Sequence, residues 1–599
     1  MARDTIPDRV QAFGRTIGHK PAMHYHSGDA WETVTWSQYA ERSRLFAAAL
    51  IANEYEPGDG VAILSDNCPE WLISEMGAMM ARAVAAGIYQ TCTPEQTAYI
   101  AQHCEAKVAI VQDPSQWTKF SSQRKSLPKL KKIVLLKGAD EIDDRMVCSF
   151  EEFIAEGRDH LEAADVRFAE LQDDDLAVLI YTSGTTGPPK GVMLSHHNLA
   201  WTAQQTNVAA GETVGDDDCV VSYLPLSHIA EQLFSIHLPA TYGFPVWFAG
   251  SVDRLKETLG HARPTLFLAV PRVWEKFKAA LEAKLSEATG LKSAIVRWAQ
   301  KVGLKAGPKL IETGKVGGLL GLQYSLANRL FYSKLTAQLG LDRLRLAVTG
   351  AAPIGKDVLD FFMSCGIIIH EVYGQSEDSG PTTFNQPKAG CRKLGTVGLP
   401  FPGVDVRIAD DGEICVRGPN VFQGYYKNPE ATAEALVDGW LHSGDIGEFD
   451  PQGFLRITDR KKDLIITAGG KNVAPQNIEK LLRRIPAIGQ AVVIGDKRKF
   501  LTALLTIDGE GGALYAAAQS WPEDPESLSK HEDFLAHVQA GVDEANAELA
   551  RYETIKRFVI LPEDFSVEGG ELTPTQKVKR KVVREKYAAQ ITQLYADVT

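Results

Sequence analysis

A glycine- and hydroxyl-rich stretch has the composition of a phosphate-binding loop. It reads YTSGTTGPPKG at 181–191 and directly follows the apolar run LAVLI at 176–180. Glycines let the main chain approach a ligand closely, and successive N–H groups in such a loop can surround an anion. It is not a Walker A loop, because no hydroxyl residue follows the lysine. An exposed linker is the alternative. The candidate phosphate ligands are Thr182, Ser183, Gly184, Thr185, Thr186, Gly187 and Lys190.

A second polar segment, EVYGQSE at 371–377, follows the apolar run IIIH. In α/β sheets, ligands bind where the strands end. At such a position Tyr373 can stack on a base, and Glu377 can hold Mg²⁺ against phosphate oxygens. Further along, GWLHSGDIG places Asp445 in a predicted glycine-rich turn, where it can accept hydrogen bonds from ribose hydroxyls, with Arg460 as a second sugar or phosphate contact. Each residue taken singly also fits a capping or solvated role.

The elements that must position these residues are short apolar strands that alternate with helical patterns. Such alternation predicts an α/β fold with largely parallel, buried strands. One such helical pattern, EWLISEMGAMMARAVAAG, follows the apolar run VAILS. The predicted strands are VAILS (61–65), KVAIVQD (107–113), KIVLLKG (132–138), PVWFAG (245–250), PTLFLAV (264–270) and LRLAVTG (344–350).

Composition narrows the class of protein. The chain has 599 residues, too many for one core, and a net charge of −12, which argues against a general nucleic-acid binder. The eight cysteines show no CxxC spacing, which predicts free thiols in a reducing compartment. The N-terminal segment lacks the apolar core of a signal peptide, and no apolar run is long enough to span a bilayer. We therefore expect a cytoplasmic protein.

Residues 272–345 differ from their surroundings. They have a helical pattern and carry 14 Lys and Arg against 5 Asp and Glu. Two interpretations stay open: a solvated helical insertion, or a basic face that makes peripheral contact with anionic lipid.

Further along, a turn-rich β region (403–457) precedes a predicted boundary near 458–472. A helix (476–485), two strands and a long charged helical tail follow, so the last part is predicted to be a separate α+β domain.

Together and in this order, the segments resemble the AMP-forming acyl-activating superfamily of acyl-CoA synthetases, luciferases and peptide-synthetase adenylation domains. The resemblance runs from about residue 30 to 585. YTSGTTGPPKGVMLSH resembles the phosphate loop, YLPLSHIAEQ (223–232) the next core motif, GAAPIG (350–355) the adenine-side turn, YGQSE the magnesium motif and LTPTQKVKR (572–580) the segment with the terminal catalytic lysine. The block 438–462 and the segment 263–277 resemble the long-chain fatty acyl-CoA synthetase branch.

The resemblance implies roles for the matching residues. Thr182 and Glu377 would hold Mg²⁺, and Lys577 would contact the α-phosphate and the attacking carboxylate. Lys462 would be the hinge residue, with a solvated surface lysine as the alternative, and His228 would shape the acyl tunnel or else be a packed core residue. Adenine would be held by Tyr373 and the turn of Gly350, Ala351, Ala352 and Pro353. The further candidates for binding the nucleotide are Glu371, Val372, Gly374, Gln375 and Ser376. Ser376 stands where the family usually has threonine; it keeps the hydroxyl.

The resemblance also implies a reaction and an architecture. A long-chain fatty acid–CoA ligase would use Mg²⁺, with ATP, CoA and a fatty acid as substrates. Its large N-terminal domain (1–461), of stacked α/β sheets and a small barrel-like β subdomain, would be joined by a hinge to a mobile α+β domain (462–599). The alternatives are another carboxylate substrate, a carrier-protein acceptor, or a nucleotide-binding or membrane scaffold without activity. The oligomeric state stays open, a homodimer included.

Overall fold

The computed structural model describes residues 3–28, 30–182, 188–573 and 577–596. Its helices are α1 Ile6–Thr16, α2 Trp36–Ala52, α3 Pro69–Met80, α4 Pro94–His103, α5 Pro114–Ser122, α6 Phe150–Ala155, α7 Leu161–Ala169, α8 His196–Ala209, α9 Ile229–Gln232, α10 Leu238–Tyr242, α11 Leu255–Ala262, α12 Pro271–Ser286, α13 Gly290–Thr313, α14 Gly318–Ala327, α15 Ser333–Gln338, α16 Lys356–Ser364, α17 Pro429–Ala435, α18 Pro475–Leu482, α19 Gly509–Gln519, α20 Pro525–Leu528, α21 Glu532–Ala547, α22 Arg580–Lys586 and α23 Ala588–Leu594.

The strands are β1 Pro21–Ser27, β2 Ala30–Thr35, β3 Gly60–Leu64, β4 Val84–Gly87, β5 Ala106–Val111, β6 Lys132–Leu135, β7 Val147–Ser149, β8 Leu176–Thr182, β9 Lys190–Ser195, β10 Val220–Ser222, β11 Val246–Phe248, β12 Leu266–Ala269, β13 Leu346–Thr349, β14 Ile369–Tyr373, β15 Thr383–Phe384, β16 Leu399–Pro400, β17 Asp405–Ile408, β18 Glu413–Arg417, β19 Gly424–Tyr425, β20 Leu436–Val437, β21 Trp440–Phe449, β22 Leu455–Arg460, β23 Ile465–Ile466, β24 Asn472–Val473, β25 Ile488–Ile494, β26 Leu501–Ile507 and β27 Ile555–Leu561.

The largest sheet presents the glycine-rich loop. Its order is β19-β9-β8-β4-β3-β5-β6-β7, and the predicted strands β3, β5 and β6 pair in parallel. Strands β8 and β9 form an antiparallel pair on either side of the loop, with Thr182 opposite Lys190. The buried, apolar β8 therefore fixes where both ends of the loop lie.

One helix prediction in this sheet is wrong. The pattern EWLISEMGAMMARAVAAG is helical only as far as Met80, and Val84–Gly87 forms the buried strand β4. Arg82 has a φ of 56°, a left-handed conformation that ends the helix. Alanine and valine fit a buried parallel strand as well as a helix, so the apolar pattern did not distinguish the two.

A second sheet, of order β12-β13-β14-β15-β16, carries two more of the predicted segments. Strands β13 and β14 are parallel neighbours, so their carboxyl ends place 350–355 beside 371–377. A Cβ atom on Gly350 would lie 2.7 Å from Cγ1 of Val372, which explains why glycine stands there.

A third, antiparallel sheet has the order β17-β18-β21-β20, with β22 paired to β21. In this pair Asp445 lies directly opposite Arg460. The prediction that Asp445 sits in a glycine-rich turn is therefore wrong. Gly444 has a φ of 74° and the register shifts after Ile446, so these glycines serve a distorted strand pairing and not a chain reversal.

The C-terminal part has its own core. Two apolar clusters are built from residues 465–594, around the sheet β25-β26-β27. The prediction that the charged tail is helical throughout is wrong. The tail also contributes β27, which pairs in parallel with β26. A mixed α/β chain with a large N-terminal and a smaller C-terminal domain confirms the predicted fold class.

The basic region 272–345 is helical as predicted, from α12 to α15. Among the described residues, no helix is both long and apolar enough to cross a bilayer. All eight cysteines are unpaired, as their spacing predicted.

Candidate active site

Tyr373, Asp445 and Arg460 form a connected group, in which Tyr373 ends β14, Arg460 ends β22 and Asp445 lies in the middle of β21. The Tyr373 hydroxyl donates to Oδ2 of Asp445 at 2.9 Å, and Nε of Arg460 lies 3.0 Å from Oδ1. Burial and the neighbouring Asp445 raise the pKa of the Tyr373 phenol, so it remains a donor. Asp445 is held on both oxygens, and each keeps a lone pair for a ligand hydroxyl.

Glu377 is linked to the ends of the glycine-rich loop through Tyr425. The Tyr425 hydroxyl donates to Oε1 of Glu377 at 2.7 Å. Nζ of Lys190 lies 4.6 Å from the centroid of the Tyr425 ring, a cation–π distance, and Thr182 is the strand partner of Lys190. Two distant motifs therefore meet at one place.

The residues at this place fit a magnesium ion that is shared with a polyphosphate. Among the described residues no cluster of three or more His, Cys, Asp or Glu could hold a metal alone. Mg²⁺ commonly takes only one or two protein oxygens and fills its remaining positions with water and phosphate. Oε2 of Glu377 accepts no hydrogen bond from the described part of the chain, and Thr182 supplies a hydroxyl from the neighbouring sheet.

Lys577 of the C-terminal domain lies within electrostatic range of the same group. Loss of hydration is the main cause that lowers the pKa of its ammonium; Arg460 lowers it further, and Asp445 and Glu377 oppose the shift. Solvent still reaches the lysine. The Lys577 N–H donates to Oγ1 of Thr573 at 3.0 Å, which fixes the main chain at this point. The Lys577 ammonium is thus near enough to both acidic groups of the N-terminal domain to be influenced by their charge.

A buried ion pair anchors the segment that carries Lys577. Arg580, three residues later, forms two hydrogen bonds of 2.7 and 2.6 Å with Glu479, and its Nε lies 3.6 Å from Asp463. Burial raises the pKa of nearby Asp459, in the N-terminal domain, to about 7, and Arg580 opposes that shift. The contacts of the guanidinium, with Glu479 and Asp463, lie on the C-terminal side of the predicted hinge, together with Lys577.

His228 is the N-cap residue of α9, and its Nδ1 accepts a hydrogen bond from the Ala230 N–H at 3.2 Å. Burial, with a contribution from Lys577, lowers the pKa of His228 to about 4, so the ring is neutral at physiological pH. A neutral ring near Lys577 adds no charge where an apolar chain would have to pass. A role in the acyl tunnel stays a prediction.

A buried carboxyl group lies behind α9. Oε2 of Glu75 accepts from Nε2 of Gln232 at 3.2 Å and from Nε1 of Trp71 at 3.3 Å, whereas Oε1 has no partner among the described residues. Burial raises the pKa of Glu75 to about 8, because a carboxylate there would be poorly hydrated.

We expect Glu75→Gln to flatten the pH dependence of stability. Glu75 is protonated in the folded state up to a pKa of about 8 but ionises near 4.5 when unfolded, so stability falls as pH rises between these values. The substitution should remove about 1 kcal/mol per pH unit from that slope. The free energy of unfolding in urea, measured for both proteins at several pH values between about 4.5 and 8, tests this. If the free energy of unfolding depends on pH in the same way in both proteins, Glu75 is not the group that titrates.

The remaining predicted site residues lie as follows. Ser183, Gly184, Thr185, Thr186 and Gly187 lie outside the described residues. Ala351, Ala352 and Pro353 are exposed beside β14, and Lys462 is exposed in a turn after β22. Burial raises the pKa of Glu371 to about 7, and the ammonium of Lys480 in α18 and a main-chain hydrogen bond from Gly395 oppose that shift.

Two features were missed from the sequence. Tyr425 lies in the segment GYYKNPE (424–430), and nothing in that segment indicated that one of its two tyrosines contacts Glu377. The Arg580–Glu479 pair joins positions 101 residues apart. In the sequence, Glu479 stands in a charged helical pattern and Arg580 in a basic tail. Charged residues in such segments usually face solvent, so nothing in the sequence indicated that they pair.

The sequence matches two family descriptions. Residues 10–426 match the AMP-binding enzymes, and residues 462–599 match the C-terminal domain of AMP-binding enzymes. A long-chain-fatty-acid–CoA ligase, ACSBG2 of Xenopus laevis, is 39% identical over 99% of this chain and 84% of its own length. The long-chain-fatty-acid–CoA ligase FadD15 of Mycobacterium tuberculosis is 37% identical over 94% and 92%.

Solved structures with the same fold are more distant in sequence. The anthranilate CoA ligase AuaEII, in complex with anthranoyl-AMP, has a TM-score of 0.72 at 21% identity and covers 98% of this chain and 99% of its own. The A-PCP didomain of carboxylic acid reductase from Segniliparus rugosus, with AMP, has a TM-score of 0.70 at 22% identity and covers 99% and 82%. At these identities the likeness concerns the fold.

Proposed function

This chain belongs to the AMP-binding enzymes, and on that premise we propose that it is a long-chain fatty acid–CoA ligase. It forms acyl-AMP from a fatty acid and ATP with release of pyrophosphate, and then transfers the acyl group to the thiol of CoA. The observation that carries the proposal is the meeting of Glu377, Asp445, Arg460 and Lys577 in one place, in a chain whose relatives bear that name.

The first half-reaction brings two anions together. The fatty carboxylate attacks the α-phosphorus of ATP, and pyrophosphate leaves, so the site needs positive charge and fixed donors more than an acid or a base. Lys577 supplies the charge at the α-phosphate and the attacking oxygen. Its lowered pKa reflects partial dehydration, and a partly dehydrated ammonium interacts more strongly with the phosphate.

The nucleotide is held by the neighbouring groups. Asp445 accepts from the ribose hydroxyls, with its carboxylate oriented by Tyr373 and Arg460. Glu377 and Thr182 would hold Mg²⁺, which when bound neutralises charge on the phosphates. Lys190, at the end of the glycine-rich loop, faces the β- and γ-phosphates, and adenine lies along the 350–353 turn.

The second half-reaction needs the CoA thiol at the acyl carbonyl, where Lys577 now lies. We infer that the C-terminal domain (462–599) turns about Lys462 and withdraws Lys577. Exposure of Lys462 in a short turn supports this, because a hinge residue must change φ and ψ without disrupting packing. The Arg580 ion pair with Glu479 lies within the moving domain and would travel with the lysine.

The other candidates differ in the acid or in the acceptor. An assay of pyrophosphate release with octanoate, palmitate, lignocerate and benzoate separates them. We expect palmitate to give the highest kcat/KM, at least about tenfold above benzoate, because each buried methylene adds binding energy. Release of AMP and formation of palmitoyl-CoA must then be equal. A preference for benzoate, or acyl transfer only to a carrier protein, would contradict the proposal.

A further inference from the structure

Helix α14 and the π turn 328–332 that continues it carry a row of leucines that face solvent. Leu319, Leu322, Leu326 and Leu330 are 72%, 71%, 49% and 37% exposed. Their spacing of three, four and four residues puts them on one side of the helix, here called the leucine face. Scattered exposed leucines need no explanation, but a continuous apolar row on a soluble surface does.

The leucine face is not the side by which α14 packs onto the protein. The opposite side contributes Tyr324, Ala327, Phe331 and Tyr332 to the second apolar core. The helix is therefore apolar on both sides, a pattern typical of helices that are enclosed in apolar surroundings. Among the described residues, nothing covers the outer side.

The neighbouring helix α13 presents a row of cations, here called the basic ridge. Arg297, Lys301, Lys305 and Lys309 recur every four residues and all are exposed. Within the described residues none of the four forms an ion pair, although α13 packs against α14. From 288 to 341 the chain has eight Lys and Arg and one acidic residue, Glu312. A solvated helix usually mixes both signs of charge.

The leucine face and the basic ridge adjoin each other, which limits the kinds of partner that could bind to both. A second copy of this chain would bring a second basic ridge toward the first, and like charges repel. A nucleic acid would neutralise the ridge but leave the leucines in water. An anionic bilayer satisfies both features, because its headgroups attract the cations and its interface accepts the leucines.

We propose that the leucine face and the basic ridge dock this protein on an anionic membrane. The leucines enter the boundary between headgroups and acyl chains, and the ridge lies on the headgroups. The helices do not cross the bilayer. The benefit of docking, though not the docking itself, rests on the proposed function. Long-chain fatty acids partition into bilayers, so a docked enzyme lies where its substrate is concentrated.

Vesicle sedimentation of the full-length chain tests the docking. The probes are vesicles of phosphatidylcholine alone and of phosphatidylcholine mixed with phosphatidylglycerol. We expect binding to the mixed vesicles that weakens with salt. The triple substitution Leu319→Gln, Leu322→Gln, Leu326→Gln should lower the partition coefficient at least about tenfold. Leu514→Gln, at a leucine that is 73% exposed in the smaller domain, is the matched control and should change nothing.

Charge removal tests the ridge separately. Lys301→Gln, Lys305→Gln, Lys309→Gln should lower binding to the mixed vesicles by roughly fivefold per lysine, with little change on phosphatidylcholine alone. All these positions are exposed, so the variants should fold, and circular dichroism checks this. Unchanged vesicle binding in both triple variants would overturn the proposal.

Two further measurements separate the alternatives. Sedimentation velocity without lipid reports self-association; a wild-type dimer that the leucine substitutions dissociate would overturn the proposal in favour of a second copy. Turnover of octanoate, which dissolves in water, should be equal in wild type and variants. If no acid is activated but vesicle binding follows the expected pattern, the proposed function fails and the docking surface stands.

Discussion

Lys577→Ala should abolish adenylate formation and spare the second half-reaction. Palmitate-dependent exchange of pyrophosphate into ATP is expected to fall roughly 10³-fold, because Lys577 is the proposed cation, near Glu377 and Asp445, at which the negative charge of the transition state would be stabilised. Conversion of synthetic palmitoyl-AMP and CoA to palmitoyl-CoA should stay within about threefold, since Lys577 is withdrawn in that step.

The control for this substitution is Lys581→Ala, four residues further along the chain, where the lysine is exposed and lies 4.0 Å from Glu585. It should leave both half-reactions unchanged. Lys577→Arg should recover part of the exchange, because it restores the charge in a different shape. Equal losses in both half-reactions for Lys577→Ala would remove the assigned role.

Glu377→Gln should show the second largest effect. Glutamine keeps an acceptor for the Tyr425 hydroxyl but loses the negative charge, so the local fold is kept while the metal ligand is weakened. ATP-dependent turnover should fall about 10²- to 10³-fold, and the Mg²⁺ concentration for half-maximal activity should rise.

Tyr425→Phe is the companion to that experiment, since it removes the hydrogen bond and leaves the carboxylate. We expect a loss of about tenfold and a small shift in the Mg²⁺ titration. A normal titration in Glu377→Gln would mean that this carboxylate does not hold the metal.

Local patterns predicted much of the framework. Buried parallel strands are continuous apolar runs, so β3, β5, β6, β12 and β13 could be located from β-branched residues and their spacing to helices. Strand β4 escaped because its alanines extend the pattern of α3, and the left-handed Arg82 has no sequence signature. The strand β27 in the tail was hidden by the charged residues on either side of it.

The site could be predicted only in part, because its contacts join distant positions. Asp445 and Arg460 were each selected from their motifs, yet their pairing depends on the register of β21 and β22. The hydrogen bond from Tyr425 to Glu377 and the anchoring of Arg580 on Glu479 require the packing of separate elements. The resemblance to a family supplied roles for Lys577 and His228 that residue types alone did not.

The central claim is that the fatty acid is made reactive by transfer of AMP. Incubation of the purified chain with ATP, Mg²⁺, palmitate and labelled pyrophosphate, without CoA, tests it most directly. The account predicts that label enters ATP, that this exchange requires palmitate, and that AMP and not ADP is the product once CoA is added. Exchange that requires CoA, or release of ADP and phosphate, would contradict it.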